Sequence, residues 1–258
     1  MKPAPKKPGN APTRIVYGIN PIKELLCYPE RVVKLLYQDG PVRGVMAELL
    51  DLAINYGVDI EAVSKQVLDK LSQDGVHQGI MARAKAFPFM PLTDMMDLPP
   101  RSCSGRRLIL ACDQITDPHN FGSMVRTLEG MGGTGVLITT RRSVQVTAVV
   151  SKTSAGSIEH IQVANVVNLN RALETLKDDG WKILGLDMEG TRNVFDVPTE
   201  NDVVVVVGSE GKGLRPRTRE ICDEIVSIPM TGKVESLNAS VSVGITVATW
   251  LGQEKDSE

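Results

Sequence analysis

"VVVVVGSEGKGL" (residues 203–214) runs five consecutive valines into a glycine-rich, charged loop. Five β-branched residues after the polar pair Asn201-Asp202 predict a central strand covered on both faces. A glycine at the exit of such a strand allows a sharp turn or the close approach of a ligand. In open α/β sheets, ligands bind outside the carboxyl ends of the strands. The stretch therefore predicts a binding site at the edge of a parallel sheet, and leaves the ligand open.

Outward from it, strands and helices alternate from Arg107 onward, the pattern of a parallel sheet with crossovers. "RLILACDQI", "TGVLIT", "IQVANVV", "WKILGLDM", "DVVVVVG" and "EIVSIPM" read as strands. "GSMVRTLEGMG", "QVTAVVSKTSAGSI", "LNRALETLKDDG" and "GLRPRTREICD" read as helices, with a last helix from about Leu237 to Leu251. Residues 14–87 read as a separate small α/β unit. Its strands are "RVVKLLYQ", "VDIEAVS" and "QGIMARAKAF"; its helices include one opened by Asn20-Pro21 and one ending at Gly57. Residues 88–106 hold the prolines, glycine and serines of a linker, and the Pro- and Lys-rich residues 1–13 read as a disordered arm. Residues 107–258 form the second domain.

With 42% hydrophobic and 23% charged residues, the composition is that of an ordinary globular protein, and aromatics at 4% predict an aliphatic core. No apolar run is long enough for a membrane span, and the basic N-terminus lacks the apolar segment of a secretory signal. The four cysteines form no CxxC pair and read as reduced thiols in a cytoplasmic protein. A net charge of −2 excludes a uniformly basic coat for nucleic acid and permits a local basic patch.

Three polar segments fall at the carboxyl ends of predicted strands: residues 113–126, 208–214 and 228–240. The first, "DQITDPHNFGSMVRT", could be an Asx-type cap followed by a solvated arginine. "GSEGKGL" has the wrong spacing for a P-loop and no hydroxyl after its lysine, and no G-x-G-x-x-G follows the first strand of the domain. Glu210 would repel a phosphate, so a neutral or cationic ligand suits this loop better. In the third, Ser236 or Asn238 could cap the last helix, which does not exclude a second role.

Taken together, these segments resemble motifs 1, 2 and 3 of the SpoU (TrmH-type) RNA ribose 2′-O-methyltransferases. The matching residues are Asp117-Pro118, Asn120, Gly122 and Arg126-Thr127; then Gly208, Glu210-Gly211 and Gly213-Leu214; then Ile228-Pro229-Met230, Gly232, Val234, Ser236-Leu237-Asn238 and Ser240-Val241. The resemblance covers about residues 107–252. "YGINPIKELL" (residues 17–26) and "HQGIMA" (residues 77–82) look like the opening and closing signatures of the ribosomal-protein-like substrate-binding domain that some members carry. Leu128 and Ala239 depart from the family's usual alanine and valine, at no polar motif position. His77 is assigned no chemistry.

The resemblance implies an α/β fold: a parallel-sheet, SPOUT-like methyltransferase domain with a trefoil knot, plus the small N-terminal domain. It implies transfer of a methyl group from S-adenosylmethionine to a ribose 2′-hydroxyl of RNA. Gly208, Ile228 and Leu237 would line the cofactor, with Leu186 at the end of the preceding strand. Arg126 would be the base or an electrostatic stabiliser, Asn120 would orient it or the ribose, and Glu210, Ser236 and Asn238 would complete the polar site. No metal is implied. The N-terminal domain points to a guanosine of 23S rRNA; tRNA guanosine and rRNA adenosine are the alternatives. A homodimer is implied as well. The competing reading of another class is a non-catalytic RNA-binding protein, which methyl-transfer assays would separate from an enzyme.

Overall fold

The computed structural model describes residues 12–198, 202–234 and 236–252, so all but the last two residues of the predicted arm lie outside the described residues. The chain divides into two units, one ending at Pro88 and the other starting at Phe89.

The first unit contains β1 (Thr13–Tyr17), α1 (Ile19–Leu25), β2 (Val32–Gln38), α2 (Val45–Asn55), β3 (Ile60–Val63), α3 (Lys65–Ser72) and β4 (Ile80–Lys85). Its sheet has the order β1-β4-β2-β3, with β4 antiparallel to β1 and β2, and β3 parallel to β2. Val16, Ile22, Leu25, Leu35, Leu49 and Ile80 form its core. His77 is buried and has a structural post. Gly79 N–H donates to its Nδ1 (3.0 Å), which fixes the tautomer whose Nε2–H donates to Asp69 (2.9 Å). That pair holds the turn in which Gln78 and Gly79 take positive φ, just before β4.

The second unit opens with α4 (Leu92–Met96), in the segment predicted to be a linker. Its Met95 and Met96 are buried in the core, and Met90 N–H donates to the Val163 carbonyl, so this segment packs on the sheet. Then follow β5 (Leu108–Asp113), α5 (Pro118–Gly130), β6 (Gly135–Thr139), α6 (Ala148–Thr153), β7 (Gln162–Val166), α7 (Leu169–Asp178) and β8 (Lys182–Leu186). The chain closes with β9 (Arg192–Asn193), β10 (Val203–Gly208), α8 (Pro216–Ile221), β11 (Glu224–Ser227) and α9 (Ala239–Leu251). The seven-stranded sheet has the order β7-β6-β5-β10-β8-β11-β9 and is parallel throughout.

The five valines form the predicted central strand: β10 is buried along its length, between β5 and β8. Val204 and Val206 pack with Ile109, Ala111, Leu173 and Ile221 on the face covered by α4, α7 and α8. Val203, Val205 and Val207 alternate to the opposite face, on which α5 and α9 pack against each other. Burying each valine is worth roughly 1.5–3 kcal/mol, which sets the register of the strand and hence the position of its terminal loop.

Several predicted helices are shorter than their sequence patterns, among them "GLRPRTREICD", which is helical only from Pro216 to Ile221. "QVTAVVSKTSAGSI" is helical only over α6, because Ala155 (φ 52°) and Gly156 (φ 93°) turn left-handed and end it. The last helix begins at Ala239, not Leu237, since Asn238 is its N-cap. Among the described residues no helix is long and apolar enough to cross a membrane.

Candidate active site

All the sheet's strands exit at one edge, and the three polar segments meet there. Asp117 caps α5, its carboxylate accepting from the backbone N–H of His119 and Asn120 (both 3.1 Å), with Pro118 as the first helical residue. The cap aims Asn120 across to the loop after β10, where its Nδ2 donates to the Glu210 carboxylate. Asn120 Oδ1 accepts from Asn238 Nδ2 (2.9 Å). Asn238 Oδ1 in turn accepts from Ser240 N–H (2.8 Å) and hydroxyl (2.6 Å), capping α9. A single chain of side-chain hydrogen bonds, Glu210–Asn120–Asn238, thus links all three segments. Each asparagine both donates and accepts, which fixes its amide orientation.

The loop after β10 closes on itself. Gly213 N–H donates to Ser209 O (2.9 Å), and Gly211 and Gly213 take positive φ. Its base is held by two carboxylates that end neighbouring strands. Asp113 at the end of β5, 1% exposed, accepts from Arg215 N–H (3.1 Å) and pairs with Arg215 Nε (2.6 Å). Asp187, just after β8, accepts from Leu214 N–H (3.4 Å) and pairs with Arg219 (3.4 Å). Sequence reasoning alone misses Asp113, Arg215, Asp187 and Arg219. Their only signal is an acid at the very end of a buried apolar strand, in "LACD" and "GLD".

Between these walls lies a cleft of about 720 Å³ over the ends of β8, β10 and β11. Leu186, Gly208, Ile228, Ser236 and Leu237 line it, and Glu210 and Asn238 stand on its wall. Arg126 is elsewhere: it lies exposed on α5, joins neither the hydrogen-bond chain nor the cleft lining, and has no side-chain partner among the described residues. Six residues separate it from Asn120, about one and two-thirds turns, so the two side chains leave the helix in different directions.

Two glycines have other reasons than a ligand's approach. A Cβ on Gly122 would meet Thr153 Oγ1 at 1.9 Å, so this glycine lets α6 pack on α5. A Cβ on Gly208 would meet Gly213 C at 2.1 Å, within the loop's own backbone. The cysteines supply no nucleophile here: burial pushes the Cys112 and Cys222 thiols up to about 12, with Asp113 adding to it at Cys112 and Asp223 at Cys222.

Residues 107–248 match the SpoU rRNA Methylase family, and residues 15–90 match the RNA 2′-O ribose methyltransferase substrate binding domain. A protein of Mycolicibacterium vanbaalenii named as an uncharacterized tRNA/rRNA methyltransferase is 40% identical over 95% of this chain and 78% of its own length. A protein of Bacillus subtilis assigned to the TrmH family of tRNA/rRNA methyltransferases is 36% identical over 89% of this chain and 92% of its own length. Among solved structures, the SpoU methyltransferase AviRb of Streptomyces viridochromogenes, determined with AdoMet, superposes with a TM-score of 0.78. It covers 93% of this chain and 89% of that one at 23% identity, a likeness of fold. The AdoMet-bound rRNA methyltransferase of Sinorhizobium meliloti gives a TM-score of 0.74 over 92% and 86% at 17% identity. With the family match spanning more than half of its length and a relative 40% identical over 95% of this chain, the chain belongs to the SpoU rRNA methylase family.

Proposed function

We propose that this protein transfers a methyl group from S-adenosylmethionine to a ribose 2′-hydroxyl of RNA, with a guanosine of 23S rRNA as the substrate. The Glu210–Asn120–Asn238 chain at the wall of the cleft carries this reading, because it joins the three motif loops into one polar site beside one cavity. The cleft fits the cofactor in size, since small-molecule sites span roughly 300–1,000 Å³. It fits in character too: backbone and apolar side chains of Leu186, Gly208, Ile228 and Leu237 suit the adenosine, and the Glu210 carboxylate suits a cationic sulfonium. When bound, the cofactor supplies an electrophilic methyl group on sulfur.

The protein's own groups answer the weakness of a ribose hydroxyl as nucleophile at neutral pH. Glu210 keeps acceptor capacity beyond the bond from Asn120, receives the hydroxyl's hydrogen bond and takes its proton as the oxygen attacks. Asn120 and Asn238 hold that carboxylate in place, and Ser236 borders the same cleft. The Arg126 guanidinium stabilises the developing alkoxide electrostatically. The first unit receives the RNA. A homodimer acting in the cytoplasm belongs to the same reading, although α9, whose small and β-branched residues suggest an interface, buries Val243, Val247 and Trp250 within its own subunit. A monomer mass by light scattering at micromolar concentration would count against the dimer.

Incubating the protein with tritiated S-adenosylmethionine and rRNA or tRNA, then mapping 2′-O-methyl positions, tests the reading directly. Label in a base, or none in RNA, would refute it. Removing residues 1–87 is expected to keep cofactor affinity and lower rRNA methylation by tenfold or more; undiminished methylation would remove the first unit from substrate binding.

Asp187→Ala is expected to raise the Kd for S-adenosylmethionine about tenfold with the fold retained. It deletes the acceptor for Leu214 N–H and Glu189 N–H and one of the two carboxylate partners of Arg219, Glu189 being the other, loosening the loop that walls the cleft. Asp187→Asn keeps the acceptor and should lose less. Equal, wild-type affinities for both by calorimetry would dismiss this role.

A further inference from the structure

The arginines of the second unit divide by place. Around the cleft and at the opposite end of the sheet they are paired: Arg107 with Asp202, Arg192 with Glu224, Arg215 with Asp113, and Arg219 with Asp187. Among the described residues, Arg141, Arg142 and Arg171, like Arg126, have no hydrogen-bond or ion-pair partner for the side chain, and all are exposed. Arg141 and Arg142 lie in the loop leaving β6, and Arg171 is the third residue of α7, which follows β7. Because the sheet is parallel and ordered β7-β6-β5-β10, these residues occupy the same edge as the Glu210–Asn120–Asn238 chain, on the side away from the cleft. At about 4.8 Å per strand, they lie over strands roughly 10 Å and 14 Å from β10.

The loop that carries Arg141 and Arg142 is held in shape. Thr139 Oγ1 donates to Arg141 O (2.8 Å), and the Gln145 amide donates to Thr139 O (3.1 Å) and Ser143 O (3.3 Å). Val144 N–H donates to Ile115 O (2.7 Å), tying this loop to the segment that leads into Asn120. Arg142 (φ 58°) and Gln114 (φ 63°) both adopt the left-handed conformation, one in each of the two joined loops. Non-glycine residues held this way mark segments whose shape is over-determined by their surroundings. Nearby acids are committed elsewhere: Asp117 caps α5, and Glu174, one turn beyond Arg171 on α7, pairs with Arg217.

We propose that Arg141, Arg142 and Arg171 form a phosphate-binding track that grips the RNA backbone beside the nucleotide being methylated. The inference rests on the RNA-methylating activity proposed above and assigns the path of the strand across the sheet edge. Exposed guanidinium groups without carboxylate partners offer planar, bidentate donors to phosphate. Phosphate contacts fix the register of an RNA strand without reading its bases. A strand gripped over β6 and β7 leaves its neighbouring ribose at Asn120 and Glu210, next to the cleft.

The test uses the full-length triple variant Arg141→Ala/Arg142→Ala/Arg171→Ala and a mixed-sequence single-stranded oligoribonucleotide, with affinity followed by fluorescence anisotropy over a salt series. RNA affinity is expected to fall tenfold or more. The slope of log K against log salt should shrink by about 0.7 for each phosphate no longer neutralised, or about 2 for three. Affinity for S-adenosylmethionine and the thermal midpoint should stay at wild-type values, which separates the effect from misfolding. The triple lysine variant keeps the charges and should recover the salt slope. A triple alanine variant with wild-type RNA affinity and slope would overturn the track while leaving the methylation reading standing. A wild-type protein that neither binds the oligonucleotide nor methylates RNA would overturn both.

Discussion

Gly208→Val is expected to lower affinity for S-adenosylmethionine by at least roughly 100-fold, equivalent to about 2.7 kcal/mol. A side chain at this position cannot be accommodated by rotamer adjustment. Its Cβ would stand 2.1 Å from Gly213 C, 2.2 Å from Gly213 O and 2.5 Å from Leu214 N, all backbone atoms. Relief requires the two ends of the loop to separate, and with them the Gly213 N–H bond to Ser209 O and the Leu214 N–H bond to Asp187. Overpacking of this kind costs about 1–3 kcal/mol in a well-packed site, and here the displaced element is the wall of the cleft itself. The strand beneath it, fully buried between two neighbours, gives no slack. Gly211→Ala is the internal control. Its Cβ would meet nothing within 4 Å, so only the left-handed conformation (φ +77°) is penalised, by about 1–2 kcal/mol, and the loop keeps its closure. Calorimetry giving Gly208→Val the affinity of the wild type would show that the loop does not shape the binding site.

The valine run makes the central strand legible because a strand buried on both faces needs no alternation, and few other structures tolerate five β-branched residues in a row. The rest of the sheet follows from the alternation of strand and helix patterns, and family resemblance supplies the candidate residues of the site. Other features are not legible. The two-residue β9 is too short to carry a periodic signal, and it pairs only with β11 at the sheet's edge. The end of α6 depends on Ala155 turning left-handed, which an alanine does not advertise. The supports of the loop after β10 come from Asp113 and Asp187, separated from their partners Arg215 and Arg219 by 102 and 32 positions. Pairings of that kind exist only once the strand order β5-β10-β8 is formed. The hydrogen-bond chain has the same character: Asn120, Glu210 and Asn238 each have a sufficient local explanation as a cap or loop residue, and only the fold joins them. Of the two reasons the sequence context offers for Gly208, a sharp turn or a ligand's approach, the atoms that exclude its side chain supply the first, since they belong to the loop itself.

Arg126→Ala is expected to reduce turnover about 10³-fold while cofactor affinity and stability stay at wild-type values. The separation follows from where the residue lies. It does not line the cleft, so cofactor binding is untouched, and it has no partner among the described residues, so no buried group is stranded by its removal. Exposed substitutions of that type change stability by no more than about 0.5 kcal/mol. On the mechanism proposed above, what disappears is a positive charge available to the oxygen that becomes anionic as it attacks, and loss of one such stabilising group typically costs about 10²–10³ in turnover. Arg126→Lys distinguishes the two roles open to the side chain. As an electrostatic stabiliser, lysine keeps the charge, recovers part of the rate and leaves the pH dependence unchanged through the neutral range. As a general base, lysine would titrate about two or more units below arginine and shift the rising limb of the pH–rate profile downward by a similar amount. The chemistry of the group favours the first outcome, because arginine is not deprotonated in proteins. Near-normal turnover in Arg126→Ala, with RNA and cofactor saturating, would take this arginine out of the site and leave Glu210 as the charged group nearest the reaction.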